Sequence, residues 1–213
     1  MDQNIEFVVD ARIKRTMENL GKNNISAYRA ENEAEALKKV SELIPAGSTV
    51  GLGGSMTLFE VGAIDFIRKG NYEVLDRYKE GLTPAEMKEI FRKSFSADVY
   101  LTSSNAVTEA GELYNVDGTG NRVAAMLYGP DRVIVIVGIN KLVKDIDQAV
   151  LRVKETAAPA NNKRIKKSNP CTITGHCMDC KSEGRICNEY TLIKRQGVKE
   201  RIHVIIVNKE LGY

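Results

Sequence analysis

The residues of this sequence with the most distinctive chemistry are four cysteines in one short segment. They are Cys171, Cys177, Cys180 and Cys187, in the spacing C-x5-C-x2-C-x6-C, and the chain has no other cysteine. Thiolates gathered around a C-x2-C pair suit Zn²⁺ or an iron–sulfur cluster, and four of them complete a tetrahedral site. The spacing matches neither a standard zinc ribbon nor a standard ferredoxin. Metal binding is therefore predicted with the metal unassigned, and reversible disulfides or free thiols are the alternatives.

A second candidate site is the glycine-rich turn Gly51-Leu-Gly53-Gly54-Ser55-Met-Thr57, between a predicted strand and a predicted helix. Backbone N–H groups at such a turn, together with the helix dipole, bind anions, and the two hydroxyls add donors. The turn has no P-loop lysine, and Thr57 replaces the third glycine of the dinucleotide pattern. An anion site at Gly51, Gly53, Gly54, Ser55 and Thr57 is the prediction, and a turn that only permits close packing is the alternative.

A third set of polar residues follows the strand at 99–102. Glu109 lies in a predicted hairpin and could act as a nucleophile or base, or could be merely solvated. Asn105 and the loop containing Gly118, Gly120 and Arg122 are predicted ligand contacts, because an arginine can pair bidentately with a carboxylate or phosphate.

Hydrophobic periodicity predicts the elements that position these residues. Helices are expected at 5–23, 31–43, 58–68, 84–94 and 145–155, a hairpin within 105–116, and strands at 24–29, 49–52, 72–75, 99–102, 133–137 and 202–207. This alternation predicts an α/β fold with a mostly parallel sheet sandwiched by helices. We expect a single domain over 1–213, with an N-terminal amphipathic helix within 1–23 and a cysteine-rich, loop-like insertion at 157–188.

Composition excludes several classes of function. The net charge of +3, from 31 basic and 28 acidic residues, does not favour a nucleic-acid partner or a membrane surface. No apolar run approaches the ~20 residues of a membrane span, and the N-terminus has no secretory signal pattern. A cytoplasmic location is expected, and the oligomeric state is not predicted.

Several of these segments resemble known families. The turn Val50-Gly-Leu-Gly-Gly-Ser55 is similar to the phosphate-binding turn of ribose-5-phosphate isomerase, glucosamine-6-phosphate deaminase and CoA-transferase-type folds, and Glu109-Ala-Gly111 resembles the segment carrying the CoA-transferase glutamate nucleophile. Together with the runs at 128–143 (YGPDRVIVIVGINKLV) and 201–207 (RIHVIIV), these loops resemble the lactate-utilization (LUD) domain family from about Asp10 to the C-terminus.

That resemblance implies a NagB/RpiA/CoA-transferase-like fold and a role in oxidising lactate to pyruvate, usually as one subunit of an iron–sulfur-containing complex. The larger family member carries a ferredoxin-like module with C-x2-C-x2-C-x3-C runs. No such run exists here, which argues against electron transfer of that type within this chain.

Three functions are consistent with these patterns, and whether the chain is an enzyme is left open. The first is a role in lactate (2-hydroxy acid) utilization, with a carboxylate, phosphate or CoA-like anion at the glycine turn and partner subunits in a complex. The second is a non-catalytic metal-binding or redox-sensing partner protein. The third is a CoA-transferase-like or sugar-phosphate-isomerase-like enzyme that uses Glu109.

Overall fold

The chain is built around two β-sheets in a computed structural model that describes residues 2–213. The helices are α1 (Gln3–Lys22), α2 (Glu33–Leu43), α3 (Met56–Glu60), α4 (Ala63–Lys69), α5 (Pro84–Lys93), α6 (Asn121–Leu127), α7 (Ile146–Arg152), α8 (Ala158–Arg164) and α9 (Cys171–Thr174). The strands are β1 (Ser26–Ala30), β2 (Thr49–Leu52), β3 (Glu73–Leu75), β4 (Val99–Thr102), β5 (Ala106–Thr108), β6 (Leu113–Asp117), β7 (Arg132–Gly138), β8 (Leu142–Val143), β9 (Glu189–Ile193) and β10 (Ile202–Val207).

The larger sheet has six strands in the order β1-β10-β7-β4-β2-β3, and every neighbouring pair is parallel. Its central strands β7 and β10 are almost wholly buried. Continuous β-branched runs suit such strands because both of their faces are covered. The predicted parallel sheet is confirmed, with strands β2, β4 and β10 at the predicted bounds.

Helices cover both faces of this sheet, as predicted. On one face, α2, α3 and α4 bury an apolar cluster that includes Val40, Leu58 and Ile67. On the other face, α1, α6 and the smaller sheet bury a second cluster that includes Ile13 and Met126. The molecule is therefore layered, with its two cores separated by the parallel sheet. No helix within residues 2–213 is both long enough and apolar enough to cross a bilayer.

The smaller sheet has the strand order β8-β5-β6-β9. Its antiparallel pair β5/β6 is the predicted hairpin, whereas β8 and β9 were not predicted. Helices α7 and α8 pack against this sheet through a third cluster that includes Tyr114, Ala149 and Ala158. This unit lies on the chain between β4 and β10 and carries most of the predicted site residues.

One predicted helix is broken in the structure. The segment expected at 58–68 forms α3 and α4, separated at Gly62, whose φ of 79° is left-handed. Glycine adopts this conformation without a Cβ clash, so the chain turns there instead of continuing the helix. The helix that follows the glycine turn is therefore five residues long, and its dipole is correspondingly small.

The segment at 157–188, expected to be loop-like, begins as a helix. A π-helical turn, Val153–Ala157, joins α7 directly to α8, and Pro159 lies at the start of α8. Proline is tolerated there because the first helical turn needs no intrahelical N–H bond. Beyond α8 the segment is mostly irregular, apart from the single turn of α9.

Candidate functional site

A cavity of about 360 Å³ opens at the carboxyl ends of three parallel strands. Residues after β2 (Gly54 and Ser55), after β4 (Ser103 and Ser104) and after β7 (Lys141) line it. Strands β2 and β4 are neighbours in the sheet, but the chain continues from β2 to β3 at one edge and from β4 to β7 in the opposite direction. The cavity therefore lies where the two connections diverge. Ligands of open α/β sheets bind at such points, and the volume suits a small molecule.

The most deeply buried cation that lines this cavity is Lys141, which is only 2% exposed. Its Nζ donates to Thr57 Oγ1 at 2.8 Å and to Ser103 Oγ at 3.1 Å. An ammonium group has three donors, and no carboxylate within residues 2–213 forms an ion pair with this one. One donor is left for a ligand, and Glu60 favours the charged form of the amine without forming an ion pair with it.

Burial and neighbouring cations disfavour the charged form of this amine. Burial lowers the pKa of Lys141 to about 7, and repulsion from Arg152 and Arg122 adds to the effect. An anion in the cavity would offset both causes and restore the protonated form. Binding of an anion there would therefore be accompanied by uptake of a proton near neutral pH.

The predicted glycine turn divides into structural and cavity-lining residues. A Cβ on Gly53 would lie 2.4 Å from Thr102 Oγ1, and one on Gly51 would lie 2.9 Å from a ring carbon of Tyr100. These two glycines permit the close approach of β4 side chains to β2. Gly54 and Ser55 line the cavity, whereas Thr57 is fully buried and acts through Lys141.

Tyr78 fixes the backbone of this turn. Its hydroxyl donates to the Gly53 carbonyl at 3.1 Å and accepts from the Ser55 N–H at 3.1 Å. The Ser55 hydroxyl in turn accepts from the Leu58 N–H at 3.3 Å and caps α3. The Ser55 N–H is therefore not free for an anion, whereas the Ser55 hydroxyl keeps its own O–H donor, and the positive charge of the cavity comes from side-chain cations.

Arg122 lines the cavity, yet every nitrogen of its guanidinium already donates to a protein oxygen. It pairs with Asp117, whose Oδ1 lies 2.6 Å from Nη2, and it donates to the Ser103 carbonyl at 2.9 Å and to Asn105 Oδ1 at 3.0 Å. Its Nη1 also donates to Asn115 Oδ1 at 2.6 Å. The guanidinium that was expected to contact a ligand thus donates to Asp117 Oδ1 through both Nε and Nη2. Arg122 ties the loop after β4 to β6 and contributes charge rather than free donors.

The other predicted contacts of this loop differ in position. Asn105 and Gly118 line the cavity, and Gly120 is not among the lining residues. Gly120 precedes α6 with a φ of 71°, and Asp117 Oδ2 accepts the N–H groups of Arg122 and Val123 at 3.1 Å. The expected flexible loop is thus the capped beginning of a helix.

Glu109 does not line this cavity. Its carboxylate accepts from Arg12 Nε at 3.0 Å and from Arg15 Nη2 at 2.8 Å, and its side chain is 19% exposed. The Asn19 side chain donates to the Glu109 carbonyl at 2.7 Å. Glu109 therefore fastens the hairpin to α1, and nothing in this position supplies a nucleophile to the cavity.

Three cationic lining residues are not among the predicted site residues. Arg77 lies over the ring of Phe91, 4.7 Å from its centroid, and Arg164 donates to Asn161 Oδ1 at 2.7 Å. The third, Lys141, follows the strongest predicted strand of the sequence. A lysine at the carboxyl end of a buried parallel strand is the signal that would have identified it.

The four cysteines are unpaired and line a common small cavity of about 10 Å³. Burial and the neighbouring thiols raise the pKa of Cys171 and of Cys187, whereas hydrogen bonds from Ser182 lower the pKa of Cys180. The donor set suits a soft metal. Within residues 2–213, however, no three His, Cys, Asp or Glu side chains stand in a metal-ligating arrangement. The thiols converge without forming a coordination sphere.

Comparison with known proteins decides the family. The LUD domain family model matches residues 13–207. The chain belongs to the LUD domain family. A crystal structure of a DUF162 family protein from Deinococcus radiodurans is similar to it, with a TM-score of 0.51 and 16% identity over 93% of this chain and 96% of that one. At this identity the likeness concerns the fold, and it agrees with the α/β architecture described above. No curated protein matches the chain.

Proposed function

We propose that this LUD domain protein binds a small carboxylate, of the 2-hydroxy or 2-oxo acid class, in the cavity at Lys141 and serves in lactate utilization. The observation that carries the proposal is the buried ammonium of Lys141, which faces the cavity without a carboxylate partner. An isolated buried charge is costly, and a bound anion removes that cost. Family membership supports the choice of lactate or pyruvate.

The cavity lining supports an anion over a neutral ligand. Arg77, Arg122 and Arg164 are cationic and Lys141 becomes cationic when protonated, and the acid among the lining residues, Asp117, is paired with Arg122. A carboxylate at Lys141 would also have the Asn105 side chain within the same cavity, and that contact would orient the rest of the ligand. The positive electrostatic field of the cavity and its hydrogen-bond donors therefore both favour a small anion.

A CoA-transferase-like reaction has less support. It rests on Glu109 as a nucleophile, and Glu109 is held by Arg12 and Arg15 outside the cavity. A phosphate or CoA-like anion would meet the same lining cations as a carboxylate, and the binding test below compares them directly. Oxidation of a 2-hydroxy acid also needs an electron acceptor, which the proposal assigns to an iron–sulfur-containing partner subunit.

Calorimetry with L-lactate, pyruvate, phosphate and CoA tests this proposal. We expect saturable binding of lactate or pyruvate at one site per chain, and loss of that binding in Lys141→Met. Lys144→Met is the matched control, because it removes an exposed lysine three residues away. Binding of neither lactate nor pyruvate, or equal binding by Lys141→Met, would refute the proposal. Tighter binding of phosphate or CoA would redirect it to those anions.

A further inference from the structure

The cysteine segment lies directly behind the wall of the anion cavity. Helix α8 separates the two cavities: Asn161 and Arg164 line the anion cavity, and Ala158 and Asn162 line the cysteine cavity. The two cavities also meet within the chain itself, because Ile186 lines the anion cavity and the next residue, Cys187, lines the cysteine cavity. The thiols are therefore separated from the anion cavity by at most one residue of the chain or the width of one helix.

Backbone contacts fix this wall to the loop that bears Arg122. The Asn188 N–H donates to the Asp117 carbonyl at 2.8 Å, and the Asn188 side chain donates to the Gly118 carbonyl at 3.0 Å. A Cβ on Gly118 would lie 3.4 Å from Ile186 Cα, which is ordinary van der Waals contact. The position of residues 186–188 thus determines the position of the loop after β6.

The segment itself has little apolar material to hold it. Between residues 165 and 188, Cys171 is the one buried hydrophobic residue. Polar contacts dominate: Asn169 Nδ2 donates to Asn162 Oδ1 at 2.6 Å and to the Gly184 carbonyl at 2.8 Å, and the Cys177 N–H donates to the Lys154 carbonyl at 2.9 Å. Small segments without a core are commonly ordered by a metal, whose binding free energy then becomes folding free energy.

We propose that Cys171, Cys177, Cys180 and Cys187 bind one soft metal centre, and that this centre fixes residues 186–188 and α8 as a wall of the anion cavity. Four thiols from three separate parts of the segment line one small cavity, which brings together the donor set of a tetrathiolate centre without yet placing the sulfurs at ligating positions. Binding draws the thiols inward from their unligated positions and deprotonates them. Zinc and an iron–sulfur cluster share this donor chemistry, and metal analysis separates the two.

Metal content is the first test, and it is independent of the anion site. Protein purified anaerobically, and reconstituted with Zn²⁺ or with iron and sulfide, should hold one centre per chain. A colourless protein with one zinc identifies a mononuclear ion, and a brown protein with iron and sulfide identifies a cluster. Cys177→Ser and Cys180→Ser should lose it, and His176→Gln, which changes an exposed residue of the same segment, should keep it. Protein without a stoichiometric metal, or cysteine variants with unchanged metal content, would overturn the proposal.

The coupling to the anion cavity rests on the proposed function and is tested second. Pyruvate affinity is measured on one preparation before chelation, after chelation and after the metal is restored, with circular dichroism to confirm folding. We expect chelation to weaken pyruvate binding by at least about fivefold and metal to restore it, as a coupling of 1 kcal/mol requires. Unchanged affinity would overturn the coupling. If pyruvate does not bind the metal-loaded protein, the proposed function fails, and the metal content still decides the metal centre.

Discussion

Replacement of Lys141 tests the electrostatic account of the cavity most sharply through its pH dependence. The ligand-free amine has a pKa of about 7, so half of it is charged at pH 7 and about 1% at pH 9. A bound carboxylate stabilises the ammonium and raises its pKa, so binding above pH 7 requires uptake of a proton. Affinity must therefore fall as pH rises.

The size of this effect follows from the same numbers. If Lys141 stays protonated in the complex, the apparent affinity falls by about 50-fold between pH 7 and pH 9, with a slope approaching about one decade per pH unit. In Lys141→Met the slope should vanish. Affinity at pH 7 should also fall by about 30-fold or more, as expected for a buried, hydrogen-bonded charge pair that loses one partner.

Calorimetry with pyruvate is the appropriate assay, because pyruvate keeps a constant charge over this range whereas phosphate titrates. The charged groups that influence Lys141 are Arg152, Arg122 and Glu60, and burial lowers the pKa of Arg152 only to about 10. Arg152 therefore stays protonated during the titration. Repetition in buffers of different ionisation enthalpy should show uptake of nearly one proton at pH 8 to 9. Affinity that is independent of pH, or the same slope in Lys141→Met, would refute the reasoning.

Three further variants test the scaffold of the site. Gly53→Ala should lower the free energy of unfolding by about 1–3 kcal/mol in urea titrations, because its Cβ would overlap Thr102. Gly21→Ala is the control and should leave stability equal or higher, because there is open space around that residue. Equal effects of the two substitutions on stability would contradict the close-packing account. Glu109→Gln should cost about 1 kcal/mol of stability and leave pyruvate affinity within twofold, since Glu109 only fastens the hairpin to α1. Loss of pyruvate binding in a stably folded variant would show that Glu109 takes part in binding. Arg122→Lys should lower the free energy of unfolding by about 3–5 kcal/mol, because lysine cannot replace the contacts of the guanidinium and Asp117 stays buried. A decrease below about 1 kcal/mol, measured by thermal unfolding, would contradict this.

The parallel sheet could be predicted because its signals are local. Strand β7 contains a continuous β-branched run, β10 is β-branched except at His203, and the capping box at Thr83 and Glu86 marks the beginning of α5. The break between α3 and α4 coincides with Gly62, a residue type that readily adopts a left-handed conformation inside a helical pattern. The two-residue strand β8 has no comparable local signal and is defined by its pairing with β5.

The candidate site was only partly predictable for the same reason. The glycine turn was predicted from its glycines between a strand and a helix, and Asn105 was predicted as a polar residue after a strand. Both contribute lining residues. Lys141 is the residue on which the proposal now rests, and its partner Thr57 is 84 positions away in the chain. Arg122 was expected to bind ligand, and only the folded chain brings Asp117, Asn105 and the Ser103 carbonyl to its guanidinium.

A crystal structure of the protein with pyruvate at pH 7 tests the central claim most directly. The account predicts the pyruvate carboxylate within about 3 Å of Lys141 Nζ, in the cavity between the loops after β2, β4 and β7. Pyruvate bound elsewhere, or a cavity without pyruvate at a concentration that saturates binding in solution, would contradict it.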